Sequence, residues 1–464
     1  MDIAAIRRRI EGDVIGRAEG PYETVLAGML WNQLKPDRHP EVIVRARHER
    51  DVIEAVRCAR EQGLRVAARG GGHSWTGLAV RNGGMLIDLS HLSEVTIGTA
   101  VRTGTTQPSV SNRDLMRRLS AHAMAFPVGH CPTVKASGFL LSGGIGWNSG
   151  QWGPACLSVR GIDLVTAGGQ LLHASAGQNP DLFWAARGGG PGLCAVATRY
   201  HLQLYPLPQA IRSSVYYYPI DRLQEVGAWL GTVADRVPRY VELSVFLLTA
   251  PPALAARCAA RAGKVCMVTA NAFANTPEDA AAALAPLETC PVLPDCLART
   301  TCEPTPFESL FDTSGSMWPE NHRSQVETLW SARPTVELLV AVRDHFLRTP
   351  SAKTLVLFAI YPGWTDGPPP PRDAAFSMAA RTYGGLWTTW EHAADDAANI
   401  AWHRSAMAIF KRFTAGHYLG ETDIVDDPAR AEASFAPASW KRLQSLRQQY
   451  DPEGLFHGFT GGLA

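Results

Sequence analysis

Three glycine-rich segments constrain the first half of this chain: RGGGHSWTG (69–77), SGFLLSGGIGWNSGQWG (137–153) and RGGGPG (187–192). Glycine runs cost conformational entropy and persist where the backbone takes conformations closed to other residues or is closely approached. Successive N–H groups in such a loop also form a nest for an anion. LRVAARGGG (64–72) reads as a strand running into a glycine loop, preceded by a strand in PEVIVRAR (40–47) and a helix in ERDVIEAVRCAREQG (49–63). A dinucleotide site of the strand–turn–helix kind needs a helix after the glycines. HSWTGLAVRNGG, broken by Gly77, Gly83 and Gly84, does not supply one. RGGG is therefore expected to cradle a pyrophosphate without a phosphate helix.

With 464 residues, 46% of them hydrophobic, the chain can bury a large core and divide into two or more domains. A formal charge of +1 and the lack of a basic tract point to a small molecule rather than nucleic acid as partner. The N-terminus, MDIAAIRRRIEGDVIGRAEGPYETV, carries charges where a signal peptide needs an apolar core, and no run of 18 apolar residues occurs. A soluble, cytoplasmic protein without membrane contact is expected. The nine cysteines include no pair at zinc-knuckle spacing, so they read as buried or loop thiols and no metal site is expected.

GGMLIDLS (83–90) adds a strand and NRDLMRRLSAHAMAF (112–126) a helix, giving an α+β pattern. Around Tyr205–Pro208 the glycine motifs stop and alanine-rich helices such as TPEDAAAALAPLE (276–288) begin. Residues 1–205 are thus expected to form one domain and 206–413 a second, built on an antiparallel sheet flanked by helices. Its strands are read at 210–220, 242–250, 264–273 and 353–364, with an exposed loop at the proline run 368–371. SWKRLQSLRQQYDPEGLF (439–456) is an amphipathic helix in a segment, 414–464, that returns to the first domain.

In chain order RGGGHSWTG, AFPVGHCPTVKASGFLLSGGIG, RGGGPGLCAVATRYHLQLYP and YDPEGLF resemble the FAD-linked oxidases of the vanillyl-alcohol oxidase and p-cresol methylhydroxylase superfamily, above all the berberine bridge enzyme-like group. The resemblance implies a two-domain FAD-binding fold of the p-cresol methylhydroxylase type. In that family the histidine of R-G-G-G-H is joined to the 8α-methyl of the flavin and the cysteine of G-x-C-P to its carbon 6. The resemblance thus implies bicovalent FAD on His73 and Cys131. It also implies cofactor contacts from Arg69, Gly70, Gly71, Gly72, Ser74, Gly129, Gly138, Gly143, Gly144 and Gly146. His130, Cys156 and Cys194 are read as structural. The chain departs from the family after the central cluster, where WNSGQWGPACLSVRGIDLV lacks the usual arginine, and at Pro191 in the third cluster.

The resemblance places the base for substrate oxidation either in ARTYGGLWTTWE (380–391) or in AGHYLGETD (415–423). Alternation in the first directs Tyr383 and Trp387 to one face. In the second, Gly420 stands where relatives carry asparagine. Hydride removal needs a group to take the accompanying proton, and Tyr418, Glu421 and Tyr383 are the candidates, in that order. MWPENHRSQ (317–325) fits a site rim or a surface loop. The expected activity is a flavin-dependent oxidase of natural products or small metabolites that uses O2 and releases H2O2. The alternatives are a carbohydrate oxidase, a dehydrogenase with another acceptor, and a non-catalytic flavin-binding protein.

Overall fold

A computed structural model describes residues 1–361 and 373–463. The proline run and the end of the 353–364 segment lie outside the described residues. The N-terminal part contains a four-stranded sheet of β1 (Asp13–Gly16), β2 (Val42–Arg45), β3 (Val66–Arg69) and β4 (Met85–Asp88), in the order β1-β2-β4-β3. β2 and β3 run parallel to β4. The helix Glu49–Glu61 connects β2 to β3 and buries Val52, Ala55, Val56 and Ala59, one apolar stripe at helical spacing. The glycine loop that begins at Gly70 therefore leaves the carboxyl end of a parallel strand, where open α/β sheets place ligands.

A second sheet begins with β5 (Val95–Gly98) and β6 (Thr103–Thr106). Next in the chain is the two-residue β7 (Met124–Ala125). β8 (Val159–Thr166), β9 (Leu171–Ser175) and β10 (Ala195–Gln203) complete the second sheet in the order β5-β6-β10-β8-β9. β11 (Tyr205–Pro206) pairs back with β7. That pairing shortens the helix expected over 112–126. It ends at Ser120, Ala123 turns with φ 55°, and the Leu207 N–H donates to the Ala123 carbonyl at 3.0 Å. A tertiary strand partner overrides local helical preference there.

The third sheet has seven antiparallel strands: β12 (Ala210–Pro219), β13 (Val241–Thr249), β14 (Lys264–Ala274), β15 (Ala298–Pro304), β16 (Arg323–Ser331), β17 (Leu355–Ile360) and β18 (Thr382–Trp390). Their order is β15-β12-β14-β13-β17-β18-β16. One face packs Tyr218, Val245, Val268, Phe358 and Leu386 against Leu230, Val342 and Phe410 of the flanking helices Leu223–Ala234, Thr335–Phe346 and Asp396–Phe410. The opposite face is turned to the site described below.

The C-terminal helix Pro437–Tyr450 stops at Asp451, whose carboxylate accepts from the N–H groups of Leu455 and Phe456 at 2.8 and 2.9 Å. Phe456 then bridges to Val66 on β3, bringing the tail beside the glycine loop's own strand. All nine cysteines are free.

Glu327 on β16 is fully buried and gathers the segment 417–430. Its carboxylate accepts from the Thr422 hydroxyl at 2.6 Å and the Asp423 N–H at 2.8 Å, and pairs with His417 at 2.9 Å and Arg430 at 3.0 Å. Removing one member of such a buried set leaves the others uncompensated. Glu327→Ala is expected to lose about 3–5 kcal/mol of stability, read as a lower urea midpoint, and Glu327→Gln is expected to lose less.

Candidate active site

A cavity of about 610 Å³ separates the glycine loop from the open face of the third sheet, and residues of both line it. On the loop side stand Gly70, Gly71, Gly72, His73 and Ser74. The triplet is packed closely on its Cβ side: added Cβ atoms would lie 1.8 Å from Ser137 Oγ at Gly70, 2.3 Å from Lys135 Cγ at Gly71 and 1.9 Å from the Met29 carbonyl at Gly72. Gly72 also has φ +69°, a left-handed conformation. Arg69 braces this shape, donating to Asp88 at 2.7 Å, the Met29 carbonyl at 2.8 Å and the Gly71 carbonyl at 3.3 Å. Among the described residues no protein acceptor takes the N–H groups of positions 70 to 74. Together with the Lys135 side chain, which also lines the cavity, they form a set of donors suited to an anion.

His73 stacks on Trp31 with ring centroids 5.1 Å apart. Burial pulls its pKa down to about 3, and the Lys135 and Arg69 charges push the same way. The imidazole is thus neutral across the physiological range. Cys131 also lines the cavity. Burial pushes its thiol up, against hydrogen bonds from Thr133 and the Val134 backbone, while the Glu421 charge adds to the rise.

The sheet contributes side chains in rows set by strand register, because successive residues face opposite sides. One row is polar, with Ser213 opposite Asn271 and Asn271 opposite Glu242. The next is mixed: Val215, Thr269, Ser244, Ala359 and Tyr383. The third is apolar: Tyr217, Met267, Phe246 and Leu357, with Trp387 and Trp318 beside it.

The three base candidates meet in this cavity. The Tyr383 hydroxyl donates to Glu421 Oε2, and the rings of Tyr383 and Tyr418 meet edge to face at 5.7 Å. The Gly144 N–H donates to the Tyr418 oxygen at 3.1 Å. Burial pushes Glu421 above the usual carboxylate range, opposed by the Tyr383 hydrogen bond and by His130. Burial and the Glu421 charge push both phenols up. Gly420 permits the arrangement, since a Cβ there would lie 2.7 Å from the Tyr418 ring.

His130 and Glu242 are site residues that the sequence did not reveal. His130 Nε2 lies 2.8 Å from Glu242 Oε1, and its ring packs against Trp147 at 4.3 Å. Burial disfavours its charge, but Glu242 outweighs that and raises it above the usual histidine value. The contact spans 112 residues of sequence and has no local signal. Of the expected cofactor contacts, Arg69, Gly70, Gly71, Gly72, His73, Ser74, Gly129, Cys131 and Gly138 line the cavity. Gly143, Gly144 and Gly146 do not. They pack behind it against Phe376, Phe139 and the Val128 carbonyl, although Gly144 still orients Tyr418. In the 317–325 segment Met317 and Trp318 reach the cavity, whereas Arg323 pairs with Asp396 and His322 sits 2.8 Å from Lys353. Cys156 and Cys194 are buried and do not line it.

Residues 40–175 match the FAD binding domain family. The chain is 27% identical over 436 residues to the FAD-linked oxidoreductase nodO of Hypoxylon pulicicidum, covering 93% of each. It is 33% identical over 200 residues to (R)-6-hydroxynicotine oxidase of Paenarthrobacter nicotinovorans, covering 43% of each. Its fold matches the crystal structure of 6-hydroxy-D-nicotine oxidase from Arthrobacter nicotinovorans with a TM-score of 0.82 at 22% identity, over 97% of both chains. It matches the BBE-like 1 protein of Physcomitrella patens with a TM-score of 0.83 at 17% identity, over 100% of this chain and 99% of that one.

Gly420→Ala is expected to tilt the Tyr418 ring off the Gly144 N–H and to lower turnover at least about tenfold, since misplacement near 1 Å can cost more than that. Flavin content of the purified variant should equal that of the parent, and steady-state rates with an absorbance spectrum check both.

Proposed function

We infer that the chain is an FAD-linked oxidoreductase of the vanillyl-alcohol oxidase and p-cresol methylhydroxylase superfamily, with the berberine bridge enzyme-like proteins among its relatives, a reading supported by its FAD binding domain, its FAD-linked oxidoreductase relatives and its fold. From that premise we propose an oxidase that takes a hydride and a proton from an amphipathic small molecule. The observation that carries this is one cavity holding both the donor-rich glycine loop and the Glu421–Tyr383–Tyr418 cluster. When bound, FAD supplies the hydride acceptor and, with dioxygen as final acceptor, the route to hydrogen peroxide. Residues 1–205 with the return 414–464 are assigned to cofactor binding and 206–413 to substrate binding.

The free N–H groups of 70–74 and Lys135 suit the pyrophosphate, and His73 and Cys131 are assigned as two covalent attachment points. A neutral His73 keeps a ring nitrogen lone pair available at pH 7. Thr133 and the Val134 backbone support the Cys131 thiolate that attachment requires.

Glu421 is assigned as the base. Both phenols are pushed above an ordinary value already well over neutrality and keep their protons, so neither can accept one, whereas burial raises the Glu421 carboxyl and the Tyr383 hydrogen bond and His130 work against that rise. Tyr383, donating to Glu421, orients it, and Tyr418 closes the cavity beside it. The graded sheet face fits a substrate with a polar reacting end and an apolar body, such as a natural product or small metabolite. The apolar row of Tyr217, Met267, Phe246 and Leu357 offers few partners to a carbohydrate.

Denaturing the protein in acid and reading flavin fluorescence in the gel band tests the attachment. The flavin is expected to stay with the wild type, His73→Ala and Cys131→Ala and to leave the double variant. Release from the wild type would refute covalent attachment. Loss of the base is expected to lower kcat for Glu421→Gln by about 10²–10⁴. The base works deprotonated, so kcat/KM should fall as pH drops through the raised Glu421 pKa and that acid limb should vanish in Glu421→Gln. Substrate reduction without air followed by aeration separates oxidase from dehydrogenase, the oxidase recovering its yellow colour rapidly.

A further inference from the structure

We propose that Asp163, His173 and His201 form a divalent transition-metal site on the second sheet, apart from the cavity. Asp163 lies on β8 and is the register partner of His173 on β9, while His201 on β10 is the partner of Gly161. Residues two apart on a strand share a face, so the three side chains converge on one side of three adjacent strands.

The donor atoms lie close enough together for one ion to reach all three. His173 Nδ1 is 2.7 Å from Asp163 Oδ1, and His201 Nε2 is 3.2 Å from Oδ1 and 3.1 Å from Oδ2. All three ligand atoms lie within 4.8 Å of one another. Ligands held at roughly 2.0–2.1 Å from one ion are about 3 Å apart. Two imidazoles and one carboxylate on one side of an ion leave its other positions to water, the donor set that Zn²⁺, Ni²⁺, Cu²⁺ and Fe²⁺ accept.

The surrounding backbone is shaped to this cluster. At Gly161 an added Cβ would lie 2.7 Å from His173 Cε1, so the absence of a side chain opposite His201 gives the His173 ring its place. The β8–β10 ladder shifts register on both sides of Arg199–His201, a device that re-aims side chains. Side-chain exposures of 39%, 35% and 20% for His173, His201 and Asp163 leave the open coordination positions accessible. Arg199 Nε, 3.9 Å from Asp163 Oδ2, competes for the carboxylate, but its guanidinium is also held by Glu94 at 3.2 Å. A bound ion would clamp three strands together, and β10 carries Ala195–Ala197 into the cavity wall.

Calorimetric titration of Zn²⁺ into chelator-treated, flavin-loaded full-length protein tests the site. One equivalent is expected to bind, with a rise in melting temperature through linkage. His173→Ala and, for a milder perturbation, His201→Gln should each weaken binding about 100-fold. Both should keep the parent's flavin spectrum and metal-free melting temperature. Stoichiometric binding lost in both variants supports the site. No saturable binding to the parent, or unchanged binding in the folded variants, reduces the cluster to a hydrogen-bonded ion network and overturns the proposal.

Discussion

The buried carboxylate of Glu327 determines where Glu421, the proposed base, can stand. It projects from β16, the edge strand next to β18, and four groups of the 417–430 segment converge on it. The residues just before that segment are tied to β16 by the Trp330 N–H to Gly416 carbonyl bond at 2.8 Å and the Ala415 N–H to Trp330 carbonyl bond at 2.8 Å. Trp330 is in turn the register partner of Tyr383. Glu421 and Tyr383, 38 residues apart in sequence, are thereby brought to hydrogen-bonding distance by a strand that itself contributes neither. A charge this deeply buried gains little stability against an apolar replacement, and its clearer consequence is a single fixed position for the segment.

The charges around the cavity are divided between its two sides. Lys135 and the unpaired N–H groups gather on the glycine-loop side, and Glu242 and Glu421 stand at the polar end of the sheet with His130 between them. A dinucleotide cofactor is polyanionic at its phosphates, so in the proposed reading the first set complements it and the second faces the reacting end of the substrate. Glu242 and Glu421 both favour the charged form of His130 against its burial, and His130 does not stand on the apolar row. This separation lets one cavity hold an anion and a proton acceptor together.

Much of this was legible from local pattern. The β3 strand and its glycine loop followed from the short run LRVAA leading into RGGG after a strand and a helix, and Tyr383 with Trp387 followed from period-two alternation in β18. What escaped depends on contacts distant in sequence. The stretch 121–126 is helical by composition, but pairing with Tyr205–Pro206 draws it out of the helix. His130 carries no mark of its role until β13 brings Glu242 to it. Gly143 and Gly146 look like loop glycines of a ligand site, yet neither lines the cavity, and a Cβ at either would meet the Phe376 ring or the Val128 carbonyl. The cluster of Asp163, His173 and His201 has no motif spacing because each residue comes from a different strand.

Strand parity separates the two duties of the third sheet. On β13 the cavity takes Glu242, Ser244 and Phe246 while the core takes Leu243, Val245 and Leu247. On β14 it takes Met267, Thr269 and Asn271 against Cys266, Val268 and Ala270 in the core. A one-residue slip would exchange the two sets, so the buried apolar face fixes register and with it the order of polar, mixed and apolar rows. Substitutions at cavity positions leave the alternate core set in place. A change of substrate in this scaffold therefore requires only the cavity-facing positions to vary, provided that the Glu327 anchor and the Gly420 clearance keep Glu421 and Tyr418 at the polar end.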